Sequence, residues 1–344
     1  MVVVVPRRRK PRVYRHQAIL DGAYTDQELR ARYRFGRQSI AFLNFLLKDR
    51  LERHSARNHA LTVDQQVLVS LRFLASGSFL QVVGDTTVSI TIIGLDKSTV
   101  SRCLYRVCGR LAEHHNDAVK WPSLDECRRS KAKFFTTAGF PSVIGAVDGT
   151  HIRIQAPHVD EPSYVNRKGF HSINVQCVCD ADGKFINVNA AWPGCSHDSH
   201  IFRTSSVCRH MENVRNWEEG VLLGDSGYPC RPFLLTPYLH PAGPAEQSYN
   251  DAHSKTRNCI ERVFGTWKRR FHVLHSEIRM KPERVVRVIL ACAVLHNIAV
   301  MMREPAVDGE DYPGDEAGGD VVPYNGPQDG QAVRNHITQV FFAR

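Results

Sequence analysis

Among the ten cysteines of this 344-residue sequence there is no CxxC pair, so neither a zinc clamp nor a dithiol redox centre is suggested. No unbroken run of about eighteen apolar residues is present, which leaves no candidate membrane span. The opening MVVVVP is too short for the core of a signal peptide, and its basic cluster follows the apolar residues instead of preceding them. No internal repeat is visible. Together these absences give the expectation of an intracellular chain, its cysteines reduced and packed in the core, at a cytosolic or nuclear address.

With 42% hydrophobic and 23% charged residues, the composition is that of a folded soluble protein. The length suggests two domains, or one domain with arms. The net charge of +10 is unevenly distributed: residues 304–344 carry eight acidic and two basic residues, which leaves residues 1–303 at +16. A body that basic attracts polyanions, nucleic acid above all. A soluble protein with many surface lysines and arginines reads equally well from charge alone.

Four stretches differ in pattern. Residues 1–24 form a basic leader, expected to be disordered, whose PRRRKPR run suits nuclear import or phosphate contact. From 25 to 140 the periodicity is helical. Thr62 and Gln65 make a capping box, with Val67, Leu68, Leu71 and Leu74 following at helical spacing. A second helical piece around Phe79 to Val83 precedes KSTVSRCL, where Val100, Leu104, Val107 and Leu111 form an apolar stripe. Arg102, Arg106 and Arg110 recur every fourth residue on another face and can track a phosphate backbone. This part resembles a helix-turn-helix presenting Ser98, Thr99, Ser101, Arg102 and Tyr105 outward; a bundle helix with a solvated basic face fits equally. VSITII, Val88 to Ile93, interrupts it as a β-like insertion. Residues 141–303 read as α/β, and 304–344 as an acidic, Gly/Pro-rich tail.

Within 141–303, Val143 to Val147 is a short continuous apolar run, the mark of a strand covered on both faces. Ser172 to Cys179 and Lys184 to Trp192 form a hairpin across the turn DADG, a helical stretch follows near Ser199 to Asn213, and Val221 to Asp225 is a second buried strand. Helices about Thr256 to Phe271 and Pro282 to Met302 complete an α/β pattern. Both buried strands lead into an aspartate with glycine close behind, GAVDG at Asp148 and VLLGDSG at Asp225. Each alone reads as an ordinary turn former or cap; together they suggest carboxylates at the crevice where α/β sheets bind ligands. Glu261 lies beside the stripe of Ile260, Val263, Phe264, Trp267 and Phe271, where it can point toward the strand ends. Three such carboxylates suit hard divalent cations and phosphodiester chemistry.

In order, GAVDGTHI, SYVNRKGFHSINVQ, PGCSHDSHIF, GDSGYP, CIERVFGTWKRRF and ILACAVLHNI resemble the PIF/Harbinger group of DDE transposases and their domesticated, transposase-derived nucleases. The resemblance spans roughly Leu61 to Met302. It implies an RNase H-like catalytic core, a mixed sheet flanked by helices, behind a helical region like a helix-turn-helix. It also implies a metal-binding catalytic triad of Asp148, Asp225 and Glu261 that uses Mg2+ or Mn2+, with Asp198 as a fourth ligand or a cap on the following helix. DNA is the implied substrate, Arg167 and Lys168 candidate phosphate contacts, and Lys268 a further candidate DNA contact. Asn166 and His171 are expected near the mouth of the site. His197 and His200 lack the soft partner of a transition-metal site and are expected to be polar or substrate-facing. A Myb/SANT-like protein partner, residence in the nucleus and in the cytoplasm as well, and cleavage without autonomous transposition complete the expectation. The rival readings are a catalytically silent DNA-binding adaptor and a nuclease acting on RNA.

Overall fold

A computed structural model describes residues 24–52, 60–86, 95–213, 219–307 and 329–343. The PRRRKPR run and the Val88 to Ile93 insertion lie outside them. The chain divides into two compact units, Met1–Val107 and Cys108–Arg344. The boundary therefore falls inside a helix and not near Pro141, where the sequence period changes.

The first unit holds α1 (Asp26–Tyr33), α2 (Arg37–Leu51), α3 (Val63–Ser76), α4 (Leu80–Thr86) and the start of α5 (Lys97–Glu113). Capping boxes close α1 at Thr25 with Glu28 and α3 at Thr62 with Gln65, each satisfying two orphan backbone donors. The expected stripe of α3 is buried, as are Val100, Leu104 and Val107 of α5. Arg102 and Arg106 are exposed. The residues that would join α4 to α5 in a helix-turn-helix lie outside the described ones.

The second unit continues through α6 (His115–Ala118), α7 (Leu124–Ala138), β1 (Val143–Arg153), α8 (Glu161–Tyr164), β2 (Ser172–Cys179), β3 (Phe185–Pro193), α9 (Asp198–Thr204), α10 (Ser206–Asn213), β4 (Val221–Leu223), β5 (Leu234–Leu235), α11 (Pro244–Arg270), α12 (Pro282–Met301) and α13 (Asp329–Ile337). The five strands form one sheet in the order β3-β2-β1-β4-β5. β1 and β2, and β2 and β3, pair antiparallel, whereas β1 with β4 and β4 with β5 are parallel. This mixed sheet with flanking helices is consistent with the RNase H-like α/β core that the motifs imply. In the β2–β3 turn the Asp180 carboxylate accepts from the backbone N–H of Asp182 and Lys184, both at 2.9 Å. Gly183 supplies the required positive φ of 77°.

β2 is buried at every position, although its sequence alternates. Helices cover both its faces, with α11 contacting one side and α9 the other. On the α11 side Cys179 Sγ lies 3.6 Å from Cys259 Sγ, and Trp267 meets Phe185 edge-on at 5.1 Å. Cys177 and Cys179, two apart on β2, thus pack on one face.

Three further differences from the sequence reading have plain causes. α11 begins at Pro244, well before Thr256, because Tyr249, Ala252, His253 and Thr256 continue its buried stripe through a polar-looking stretch. The acidic tail ends in structure: Arg334 stacks 4.0 Å above the Tyr238 ring, and Phe342 packs 5.7 Å from Phe140. Finally, α12 is long and apolar enough to cross a membrane, contrary to the expectation of no such span. It serves as a core helix, with 67% of its apolar window buried. Its Asn297 side chain bonds both backbone groups of Phe185 and the carbonyl of Ala118, and His296 reaches the carbonyl of Gly183 at 2.8 Å. The His-Asn pair of ILACAVLHNI therefore pins the hairpin to this helix.

Candidate active site

Asp148 does not end its strand. β1 runs on to Arg153, and Asp148 pairs mid-strand with Cys177, because the polar residues after it alternate with Thr150, Ile152 and Ile154, which are buried. The parallel register joins Ala146 to Leu223 as its last pair, and Asp148 and Asp225 each follow that pair by two residues. β4 stops at Leu223, which frees Asp225 to turn; its Oδ1 accepts from the Gly227 N–H at 3.0 Å.

Alternation directs Asp148 toward α11 and Gly149 toward α9. On the first side, Arg257 donates from Nη1 to Asp148 Oδ2 at 2.9 Å and from Nη2 to Glu261 Oε1 at 2.5 Å. On the other side, the Asp198 carboxylate rests over Gly149, where a Cβ would come within 2.4 Å of Oδ1. Gly149 is therefore required for close approach of a side chain and not for a turn. Asn174 Nδ2 donates to the same Asp198 oxygen at 2.9 Å. Asp198 itself occupies the first turn of α9 and makes no capping bond.

Electrostatics tie the set together. Burial pushes the Asp148 carboxyl up to about 7; Arg257 opposes this, and the charges of Asp225 and Asp198 add to it. Burial likewise raises Asp198 and Asp225, with Asp225 adding to the shift at Asp198 and Glu261 to that at Asp225. Asp225 thus acts on both Asp148 and Asp198, and Glu261 acts on Asp225. Arg167, exposed on its loop, acts on both Asp198 and Asp225 in the opposite sense.

Among the described residues, no three His, Cys, Asp or Glu side chains are already arranged to hold a metal ion. The Arg257 guanidinium stands between Asp148 and Glu261 instead. The donor chemistry nevertheless fits Mg2+ or Mn2+, since the groups that would hold it are hard carboxylate oxygens from β1, the segment after β4 and α11. Buried polar atoms without partners, Asn174 Oδ1 and both amide atoms of Gln176 on the neighbouring strand β2 and Tyr228 Oη on the segment after Asp225, are as expected of a site that takes up further polar ligands.

The remaining candidates fall differently. Asn166 is buried, accepting from the Lys168 N–H at 2.9 Å and donating to Ser172 Oγ at 3.1 Å, so it shapes the loop that exposes Arg167 and Lys168. His171 pairs with Glu161 at 2.8 Å. His200 packs against Trp192, and His197 is exposed beside Asp198. Lys268 is a correction: it is 3% exposed and donates toward the His151 carbonyl, so its ammonium faces the interior, where DNA cannot reach it. On α5, Arg110 is bound bidentately by Glu113 at 2.7 and 2.8 Å, which offsets its charge.

Residues 147–297, a span that includes all four acidic residues, match the family described as DDE superfamily endonuclease. The chain is 39% identical over 281 residues to "Putative nuclease HARBI1" of Bos taurus and to its namesake in Homo sapiens, covering 80% of this chain and 78% of each relative. "Protein ALP1-like" of Arabidopsis thaliana is 31% identical over 273 residues, 74% of this chain and 65% of that protein. The chain belongs to the Harbinger transposase-derived DDE endonuclease family. No solved structure matches it.

Two further groups belong to this Harbinger-type site, one outside the quoted motifs and one within GDSGYP. Arg257 precedes CIERVFGTWKRRF, and its spacing of four from Glu261 is the helical ion-pair spacing. Tyr228 follows GDSG and lies buried under the influence of Asp198, Asp148 and Asp225, which together with burial hold its hydroxyl well above the ordinary range.

Two outcomes follow. Gly149→Ala is expected to destabilise the protein by about 1–3 kcal/mol in urea unfolding, and by clearly less when Asp198→Ala is already present; equal costs in both backgrounds would contradict the contact. The second concerns pH. Folded Asp148 keeps its proton up to about pH 7, whereas the unfolded chain releases it near 3.8, so the folded state binds more protons in between and this group's contribution falls as pH rises across that window. Between pH 5 and 7, Asp148→Asn is therefore expected to lose less stability than the wild type, by about 1–3 kcal/mol; identical losses would count against the buried carboxyl.

Proposed function

We propose that this chain is a divalent-metal-dependent nuclease that hydrolyses phosphodiester bonds in DNA, without autonomous transposition. The observation that carries this reading is the gathering of Asp148 on β1, Asp225 just beyond β4 and Glu261 on α11 around Arg257, beside Asp198. Asp148, Asp225 and Glu261 would hold Mg2+ or Mn2+, with Asp198 as a further ligand or as a support through Asn174. Bound there, the cation supplies Lewis acidity to the phosphodiester and offsets the charge that develops on it.

The chain's own groups do the rest. Arg167 and Lys168, exposed on the loop that Asn166 shapes, offer charge to a phosphate near the site. The nearest thiol and phenol, Cys177 and Tyr228, are buried and held protonated, which disfavours a covalent protein intermediate and leaves water to attack. Arg102 and Arg106 present exposed cations that suit a DNA backbone. The PRRRKPR run supports a nuclear address, with the cytoplasm as a second location, and a Myb/SANT-like protein is the proposed partner.

The adaptor reading draws on one observation, the arginine that already neutralises Asp148 and Glu261. Plasmid nicking in Mg2+ or Mn2+ separates the two. The nuclease reading expects nicking that chelator abolishes and that Asp148→Asn, Asp225→Asn or Glu261→Gln each lowers by about 100-fold or more. Nicking that persists in a triple alanine variant at these positions would remove the assignment, and salt-sensitive DNA binding with neither Mn2+ uptake nor cleavage would favour the adaptor.

A further inference from the structure

The acidic site already contains one cation, and the protein supplies it. Arg257 lies four residues before Glu261 on α11, on the same helical face. Its two terminal nitrogens go one each to Asp148 and Glu261, at 2.9 and 2.5 Å. Its side chain is only 14% exposed, and that of Asp148 13%. Oδ1 of Asp148 is engaged separately by the Gly149 N–H at 2.8 Å, so the oxygen that Arg257 occupies is the one turned toward Glu261. The charges of Asp148, Glu261 and Asp225 all act on this guanidinium.

Resting on the metal-holding reading above, we infer that Arg257 is a resident counter-cation of the site, and that a divalent ion binds Asp148 and Glu261 only by displacing its guanidinium. Glu261 is 41% exposed, but at the buried Asp148 oxygen two positive charges repel strongly, because little solvent screens them there. A guanidinium, which has no lone pair to donate, cannot join the ion's ligands. The two cations therefore exclude one another. This accounts for the absence, among the described residues, of a trio poised for metal: in this conformation the arginine spans the gap between two of the proposed ligands. It also accounts for how the acidic groups remain together without a metal, since an unpaired cluster of carboxylates in so buried a place would repel.

Arg257 is thus a positioning residue whose removal has opposite effects on the free and the metal-bound protein. Arg257→Met keeps a long side chain without the charge. Calorimetric titration with MnCl2 at about pH 8, together with thermal melts with and without Mn2+, reads both effects on the full chain. The variant is expected to melt below the wild type without metal, to bind Mn2+ about tenfold more tightly, and to gain more in Tm from it; Arg257→Lys should fall between the two. Binding that is equal to or weaker than wild type in a cooperatively melting Arg257→Met protein would overturn the inference while leaving the metal reading intact, because the arginine would then be organising the ligands and not competing for them. Should that variant fail to melt cooperatively, Arg257→Lys decides by the same criterion. Mn2+ uptake by none of the proteins would remove the metal reading, and this inference with it.

Discussion

Several carboxylates held together in a largely buried cleft repel one another, and a nearby cation has to offset them. That constraint organises the second unit. Parallel pairing of β1 and β4 brings Asp148 and Asp225 to the same end of the sheet, each two residues beyond the last pair. The length of α11, about 40 Å for its 27 residues, carries Arg257 and Glu261 across the same place. Gly149 has no side chain because Asp198 fills the space where one would stand. The raised carboxyl of Asp148 and the ion pairs of Arg257 are two sides of one balance, with burial opposing ionisation and a guanidinium restoring it.

Much of the frame was legible in the sequence because its signals are local. The capping box at Thr62, the stripes of α3 and α5, the DADG turn and the apolar runs at Val143 and Val221 each need only a few neighbouring residues. The ordered motifs of the Harbinger group then selected Asp148, Asp198, Asp225 and Glu261, residues that the fold brings near one another. What remained hidden depends on distant partners. That Asp148 sits mid-strand follows from its pairing with Cys177 in β2. That Lys268 points inward follows from the packing of α11 on the sheet, which its basic neighbours, Arg269 and Arg270, do not announce. The early start of α11 and the docking of α13 through Arg334 and Tyr238 are likewise tertiary effects, since propensity and composition alone read those stretches as loop and tail.

The same distinction separates residues that act from residues that hold. Asn166, Asn174, His296 and Asn297 fall within the recognised motifs or beside them, yet each bonds to backbone or to a neighbouring side chain of its own fold. Residues of this kind fix a loop, an acidic side chain and a hairpin in place. In the proposed nuclease, the groups that would meet a ligand are the four carboxylates and the exposed Arg167 and Lys168 on the loop nearby. A site with hard anionic donors within and cations around suits a metal ion and a phosphodiester far better than a neutral small molecule.

Asp148 and Asp225 are proposed to share a divalent ion. Anomalous diffraction from crystals soaked in MnCl2 tests this, because manganese is located without reference to activity. A shared ion gives a manganese peak bonded to an oxygen of each aspartate; a peak confined to other residues, or none at saturating Mn2+, would rule it out.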